Sequence, residues 1–125
     1  MKFPYDIHFQ PPFPVLPIRL SNEQRGNPTE TLMALVDTGA DGSLVPLSIL
    51  RQIRAPAVMD KRLRSHWGEW RAVQMFVVDV ELVNRKLPSV LVVGDELGEE
   101  VVIGRNLLNR LRLLLDGPAQ LTELQ

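Results

Sequence analysis

The chain has 125 residues, enough for one domain with its own core but too few for two lobes. Hydrophobic residues make up 45% and charged residues 23%, as in ordinary soluble domains, and the net charge of −1 offers no basic surface for nucleic acid or anionic membranes. The absence of cysteine excludes disulfides and thiolate metal sites, and because no apolar run is typical of a signal peptide or a bilayer span, we expect a cytoplasmic protein.

The first residues of the chain are rich in proline. Five prolines within the first 17 residues disfavour helix and favour extended backbone. We therefore expect residues 1–14 to form an extended arm that lies over the body or reaches a neighbouring copy. Residues 15–125 are expected to form a single domain.

Short apolar runs bounded by turn residues predict a series of strands along that domain. They lie at residues 15–20, 31–36, 43–46, 62–64, 71–82, 87–93, 101–103 and 111–115. Polar residues 21–29 read as a turn, residues 47–53 as one or two helical turns, and residues 105–110 as a short helix. Many short strands with one clear late helix predict a mainly β closed barrel.

An aspartate stands at the end of an apolar strand, directly before a threonine and a glycine. Residues 34–41 read Ala-Leu-Val-Asp-Thr-Gly-Ala-Asp. An ionised carboxylate beside buried aliphatic surface must be paired, hydrogen-bonded or partly neutralised, so Asp37 is either held by a neighbour or poised for proton chemistry. The Thr38 hydroxyl can lock the turn, and Gly39 lets a substrate or a second backbone approach the acid closely.

A second signature lies downstream. Residues 101–108 read Val-Val-Ile-Gly-Arg-Asn-Leu-Leu, an apolar strand and a glycine followed by a short helix that Arg and Asn open. Together the two segments resemble the paired signatures of retropepsin-like aspartic proteases, the retroviral proteases and their small cellular and bacterial relatives, and the chain is most similar to the stand-alone bacterial members. The resemblance covers residues 15–115. It implies an acid-protease (retropepsin) barrel with one short C-terminal helix, and an aspartic endopeptidase that needs no metal or cofactor.

The chain carries the acidic motif once, whereas hydrolysis of a peptide bond by carboxylates alone needs two of them in opposite roles. The simplest solution is a homodimer in which the Asp37 side chains of two subunits meet on a twofold axis. The resemblance implies that these two acids share one proton, as in aspartic proteases generally. It also implies that Thr38 reaches across the axis, that Arg105 pairs with Asp41 to brace the loop, and that Gly104 belongs to this support.

The resemblance also assigns contacts with an extended peptide or protein substrate. The expected substrate-binding residues are Leu35, Ala40, Asp41, Leu44, Trp67, Gly68 and Val102. Residues 65–70 correspond to the flap, a hairpin that folds over substrate and excludes water. Viral flaps carry several glycines where this chain has only Gly68, and Trp67 and Trp70 add bulk. Two roles stay open for these tryptophans, contact with substrate at the flap tip and packing under the hairpin.

Other functions compete with endopeptidase activity. The glycine-poor flap favours a catalytically weak or inactive peptide-binding module, and a loop that only closes a barrel would suit a structural dimerisation domain. Asp37 could also simply accept hydrogen bonds in a turn. A calcium loop is discounted, because Ser48 stands where such a loop needs a bidentate glutamate.

Overall fold

Apolar runs separated by turns fold into a mainly β structure, which confirms the predicted class. A computed structural model describes residues 1–23, 27–64 and 67–125. Its strands are β1 (Lys2–Pro4), β2 (Val15–Ser21), β3 (Leu32–Val36), β4 (Ser43–Pro46), β5 (Ala57–Arg64), β6 (Trp70–Glu81), β7 (Lys86–Asp95), β8 (Val102–Ile103), β9 (Leu113–Asp116) and β10 (Leu121–Leu124). Its helices are α1 (Leu47–Gln52) and α2 (Arg105–Leu108).

Seven strands form one sheet in the order β2-β3-β8-β4-β7-β6-β5. β2 also pairs with β6, so the pairings return to the strand at which they start. The pairs β3–β8 and β4–β7 are parallel, and the remaining pairs are antiparallel. The largest fully buried side chains of the core include Leu16, Leu20, Leu50, Ile53, Ile103 and Leu107. This topology places the ends of β3 and β8, which carry the two sequence signatures, side by side.

The two ends of the chain form a separate three-stranded sheet in the order β1-β10-β9. Lys2 lies opposite Glu123, and the Met1 ammonium donates to the Leu124 carbonyl at 3.0 Å. The proline-rich arm therefore starts with a strand that pairs within its own chain. Neither β1 nor β10 is predicted from the sequence.

The described residues contain two short helices. The first, α1, confirms the helical turns predicted at residues 47–53, although the expected barrel named only the C-terminal helix. The helix predicted at 105–110 ends at Leu108, because the N–H groups of Arg110 and Leu111 bond to carbonyls three residues back, both at 3.0 Å. The strand predicted at 111–115 consequently starts two residues later, at Leu113. Among all the residues that the structure describes, no helix is long and apolar enough to cross a membrane.

The other helix, α1, ends in a left-handed turn. Arg54 has φ of 55° and donates its N–H to the Arg51 carbonyl at 3.1 Å, while the next residue, Ala55, donates to the Leu50 carbonyl at 2.9 Å. These two bonds form a Schellman motif, whose left-handed position is usually glycine.

β5 and β6 form a long hairpin at the edge of the seven-stranded sheet. β5 starts at Ala57, five residues before the predicted strand, because pairing with β6 continues down to that residue. Leu63 lies opposite Arg71 and Arg64 opposite Trp70, so these two pairs occupy different faces of the hairpin. Ser65 and His66, in the predicted flap, and residues 24–26, in the predicted turn at 21–29, lie outside the described residues.

Candidate active site

Asp37 follows the last residue of β3 and is half-buried. The parallel neighbour of β3 fixes its backbone, since the Leu35 N–H donates to the Val101 carbonyl at 2.8 Å and the Asp37 N–H donates to the Ile103 carbonyl at 3.0 Å. The first signature is thus hydrogen-bonded to the second at the residue before and at the residue after Val36, where β3 ends. The backbone of Asp37 is held by the sheet, not by a free loop.

One oxygen of the Asp37 carboxylate is held by its own loop. The Gly39 N–H donates to Asp37 Oδ1 at 2.9 Å. A Cβ at position 39 would lie 3.2 Å from the same oxygen, so glycine gives this turn its room. Within residues 1–23, 27–64 and 67–125, no cation forms an ion pair with Asp37 and no second hydrogen bond reaches its carboxylate. The other oxygen is therefore left for a proton, a water molecule or a second acid.

Gly104 brings the two signatures into backbone contact. A Cβ at position 104 would lie 2.6 Å from the Gly42 carbonyl carbon, nearer still to the Gly42 carbonyl oxygen, and 2.9 Å from the Ala40 carbonyl oxygen. Because all three atoms belong to the main chain, no side-chain movement can make room. The Arg105 N–H donates to the Ala40 carbonyl at 2.8 Å, which ties the acidic loop to the start of α2.

A polar network that the sequence analysis missed fastens the far end of the loop. The buried Ser43 hydroxyl accepts from the Gly104 N–H at 3.0 Å and donates to Asn106 Oδ1 at 2.8 Å. Asn106 Nδ2 donates in turn to the Leu91 carbonyl at 2.8 Å. The Asn that opens the helix in the second signature was the available signal, although sequence alone names neither of its partners.

Arg105 contacts the loop in a different way from the one expected. The predicted ion pair with Asp41 is wrong, since no such pair occurs in the described part of the chain. The Arg105 guanidinium instead donates to the Thr38 carbonyl at 2.8 Å. The side chains of Arg105 and Asp41 are both exposed. A guanidinium has five N–H donors and can bond a backbone carbonyl as readily as a carboxylate.

Three of the predicted substrate-binding residues are neighbours across three strands. Val102 of β8 pairs with Leu35 of β3 on one side and with Leu44 of β4 on the other. Leu35 is buried in the chain, whereas Leu44 and Val102 are half-buried. Leu44 also lines a cavity of about 150 Å³. The other residues that line it are Leu63, Arg71, Ala72, Val73, Val93, Gly94, Asp95 and Glu96.

The β5–β6 hairpin presents its two faces differently. Leu63, Arg71 and Val73 share the face that lines this cavity. Trp70 lies on the opposite face, where the guanidinium carbons of Arg62 and Arg64 lie 5.5 Å and 5.9 Å from its ring centroid. In this chain, Trp70 therefore neither faces the cavity nor packs beneath the hairpin.

The described tip of the hairpin is exposed. Trp67 is 91% exposed, and Gly68 has φ of 82°, a left-handed conformation that favours glycine. The single glycine of the predicted flap therefore stands where the backbone turns. Among the described residues, Trp67 therefore has little packing, and most of its ring is open to solvent.

Comparison with known proteins finds likeness in structure and not in sequence, since no family model and no curated protein matches the chain. A retropepsin-like aspartic protease from Rickettsia conorii superposes with a TM-score of 0.68 at 13% identity, covering 99% of this chain and 88% of that one. EIAV protease, solved in complex with the inhibitor HBY-793, gives 0.56 at 17% identity over 78% and 86% of the two chains. The retroviral protease-like domain of Ddi1 from Leishmania major gives 0.54 at 16% identity over 90% and 89%. The chain has a retropepsin-like fold.

The retropepsin-like fold confirms the resemblance inferred from the two signatures. On this fold the Asp37 loop, the strand pair β3–β8 and the start of α2 form one hydrogen-bonded unit. The unit presents a single half-buried acid with one oxygen fixed by an amide. Such an acid can exchange a proton with water or with a second carboxyl group, but one copy supplies only one of the two roles that peptide hydrolysis needs.

Proposed function

We propose that this protein is a homodimeric aspartic endopeptidase in which Asp37 from each subunit forms the catalytic pair. The observation that carries the proposal is the placement of Asp37: at a strand end braced by the second signature, with one carboxylate oxygen held by the Gly39 amide and no ion pair among the described residues. We further infer that the ring of strand pairings from β2 through β6 is the closed barrel that the sequence predicted. The compartment proposed from the cysteine-free sequence is the cytoplasm.

In the proposed reaction, one Asp37 is ionised and the other is protonated. The ionised carboxylate accepts a proton from water, the water oxygen attacks the peptide carbonyl carbon, and the protonated carboxyl donates to the carbonyl oxygen. After this step the first Asp37 carries the proton from water and the second Asp37 is ionised. One hydroxyl of the tetrahedral intermediate then gives its proton to the second Asp37, while the first Asp37 protonates the leaving nitrogen and the C–N bond breaks. The pair ends with one proton, as it began.

The proposed substrate is an extended peptide that binds between the loops and the β5–β6 hairpin. The half-buried Leu44 and Val102 offer apolar surface beside Asp37, and the hairpin face with Leu63 and Val73 would cover it. Closure of such a hairpin excludes water and strengthens electrostatic interactions in the site. Thr38 is proposed to reach the opposite loop, with its own carbonyl held in place by Arg105.

Digestion of a peptide library from acidic to neutral pH tests this proposal. We expect wild type to cleave and Asp37→Asn to lose at least about 10²–10⁴-fold in rate, because the substitution removes the acid–base group of both subunits without a change in shape. Glu99→Gln, the same carboxylate-to-amide change in an exposed turn, is the matched control and should cleave as wild type does. Equal cleavage by wild type and Asp37→Asn would remove Asp37 from the mechanism, and peptide binding without cleavage would favour a binding module instead.

A further inference from the structure

The charges of the chain are distributed unevenly along its length. Residues 51–71 contain six arginines and lysines and two acids, a net charge of +4, whereas the remaining residues contain eight and thirteen, a net charge of −5. The basic segment runs from the end of α1 through β5 to the start of β6. The β5–β6 hairpin and the turn before it therefore form a basic region on a chain whose remainder is acidic.

A cavity of about 710 Å³ lies between the end of α1 and the base of this hairpin. Arg51 and Arg54 line it together with the apolar Leu50, Pro56 and Phe76. Both arginines are exposed, and neither forms an ion pair with any residue that the structure describes. The cavity thus offers apolar lining beside two guanidinium groups, and its volume is that of an ordinary ligand site.

Arg54 occupies a backbone position that favours glycine. Its φ is 55°, and the left-handed conformation is unfavourable for a residue that has a Cβ. The Asn22 side-chain amide donates to the Arg54 carbonyl at 2.8 Å, which helps to hold the turn. Residues kept in such conformations are concentrated at functional sites. An arginine that is retained here and lines a cavity therefore points to a role in binding.

One face of the hairpin connects this cavity with two more arginines. The pairing of β6 is regular from Trp70 to Phe76, so these two side chains share a face and lie about 20 Å apart along the strand. The guanidinium groups of Arg62 and Arg64, which contact the Trp70 ring, also form no ion pair within the described part of the chain. Asp60 is the acid that β5 contributes to this face.

Trp70 prepares the two guanidinium groups for an anion. Contact with the aromatic ring restricts two long side chains before any ligand binds, which lowers the entropy lost on binding. The N–H groups of a guanidinium match the two oxygens of a carboxylate. The apolar lining beside Arg54 suits an apolar side chain better than a phosphate, and the acidic remainder of the chain repels a long polyanion. These features favour an acidic peptide over a nucleic acid.

We propose that a basic face, consisting of Arg51, Arg54, Arg62 and Arg64, binds an acidic segment of the substrate outside the scissile region. The inference rests on the proposed function for the identity of this occupant. Carboxylates of the segment pair with the guanidinium groups, and one apolar side chain enters the cavity. The face accommodates about six extended residues, since each spans about 3.3 Å. β5 is the outer strand of its sheet, so a substrate that passes beneath the hairpin reaches this face around that edge.

Binding is tested with the full chain carrying Asp37→Asn, so that the probe is not cleaved. The probe is a fluorescein-labelled peptide of six glutamates and two leucines, and its counterpart with glutamines is the charge control. We expect fluorescence anisotropy to detect binding of the acidic peptide that weakens as salt is added. Adding Arg62→Gln and Arg64→Gln should raise its Kd about tenfold. Lys2→Gln with Arg110→Gln removes two exposed charges elsewhere and should leave the Kd unchanged.

Arg54→Gly and a charge reversal guard against loss of folding as an explanation. Glycine suits the left-handed position, so Arg54→Gly should fold at least as well as wild type and still raise the Kd of the acidic peptide about threefold. Arg62→Glu with Arg64→Glu should bind the counterpart peptide with lysines in preference to the acidic one. A gain of this kind requires a folded hairpin.

Steady-state kinetics test whether the basic face acts on substrate. The acidic segment is joined by a flexible linker to a library peptide that wild type cleaves. We expect the added segment to lower KM about tenfold and to leave kcat unchanged, because it contributes equally to binding of substrate and transition state. The variant with Arg62→Gln and Arg64→Gln should lose this difference in KM while it cleaves the peptide without the segment as wild type does.

The outcomes separate this proposal from the endopeptidase proposal. Equal binding of the acidic and glutamine peptides, or a Kd that the arginine substitutions leave unchanged, would overturn the basic face. Tighter binding of single-stranded oligothymidylate would overturn it in favour of a nucleic acid, and a changed oligomeric state without peptide binding would do so in favour of a second copy. Binding of the acidic segment that leaves KM unchanged would overturn its role in substrate docking. Binding of the peptide by a wild type that cleaves nothing would leave the acidic-peptide face standing and count against the endopeptidase.

Discussion

Replacing Gly104 by alanine should damage both the stability of the fold and the position of the acid. The new methyl group would lie 2.6 Å from the Gly42 carbonyl carbon, and the two backbone segments must separate by about 1 Å to restore an ordinary contact. Overpacking of this kind costs about 1–3 kcal/mol. The separation also weakens the hydrogen bonds from Arg105 N–H to Ala40 and from Gly104 N–H to Ser43, each worth about 1 kcal/mol.

The expected loss in unfolding free energy for Gly104→Ala is therefore about 3 kcal/mol or more, which corresponds to a fall in Tm of about 10 °C. Thermal and urea unfolding measure it directly. Gly42→Ala is the matched control from the same loop, because a Cβ there meets no atom within 4 Å, and it should unfold at or slightly above the wild-type midpoint. Gly104→Ala should also cut peptide cleavage about 100-fold, because the Asp37 loop moves. Unfolding of Gly104→Ala at the wild-type midpoint would refute the close-contact reasoning.

Three further changes follow from local contacts. Arg54→Gly removes the strain of a left-handed φ of 55° after α1. We expect urea unfolding to show an unfolding free energy higher by up to about 1 kcal/mol, and a lower value would contradict the Schellman assignment. Asp79→Ala removes the buried carboxylate that accepts from the Ser89 N–H at 2.9 Å, and it should cost about 1–3 kcal/mol by the same assay; an unchanged midpoint would show that the bond contributes nothing. Hydrogen bonds from His8 lower the pKa of Asp6 below its ordinary value of 3.8, and the backbone N–H contributes more than the ring. The stabilisation of the fold by this carboxylate is therefore present above pH 3.8 and is lost as the pH falls through the folded pKa. His8→Ala keeps the backbone N–H, and an NMR titration should still find the Asp6 pKa below 3.8.

Local patterns predicted the strands of the main sheet well. β6 was expected at residues 71–82 and is observed at Trp70–Glu81, because its alternation of apolar side chains is long and regular. The strands β1 and β10 escaped prediction because each has only three or four residues, and β1 contains a proline. Their strand character comes from pairing with each other across the whole length of the chain, which no local pattern reports.

Only the features of the site that depend on residues adjacent in sequence were predictable. The position of Asp37 at a strand end follows from a short motif, whereas the close approach of Gly104 to the Gly42 and Ala40 carbonyls was not predicted. The partner of Arg105 was predicted wrongly, because the family resemblance implied the Asp41 carboxylate where the fold supplies the Thr38 carbonyl. Asn106 received no role in advance, since its partners come from strands distant in sequence and only the tertiary structure brings them within bonding distance.

Both tryptophans of this protein, Trp67 and Trp70, belong to the β5–β6 hairpin, and both are more than half exposed. Their intrinsic fluorescence therefore reports on this hairpin alone, without any attached dye. Emission from the ring at the tip should shift to shorter wavelength when a ligand or a second subunit covers it, while the ring stacked on two guanidinium groups should change little. A fluorescence titration of the unmodified molecule can thus detect a bound molecule that covers the tip of the hairpin.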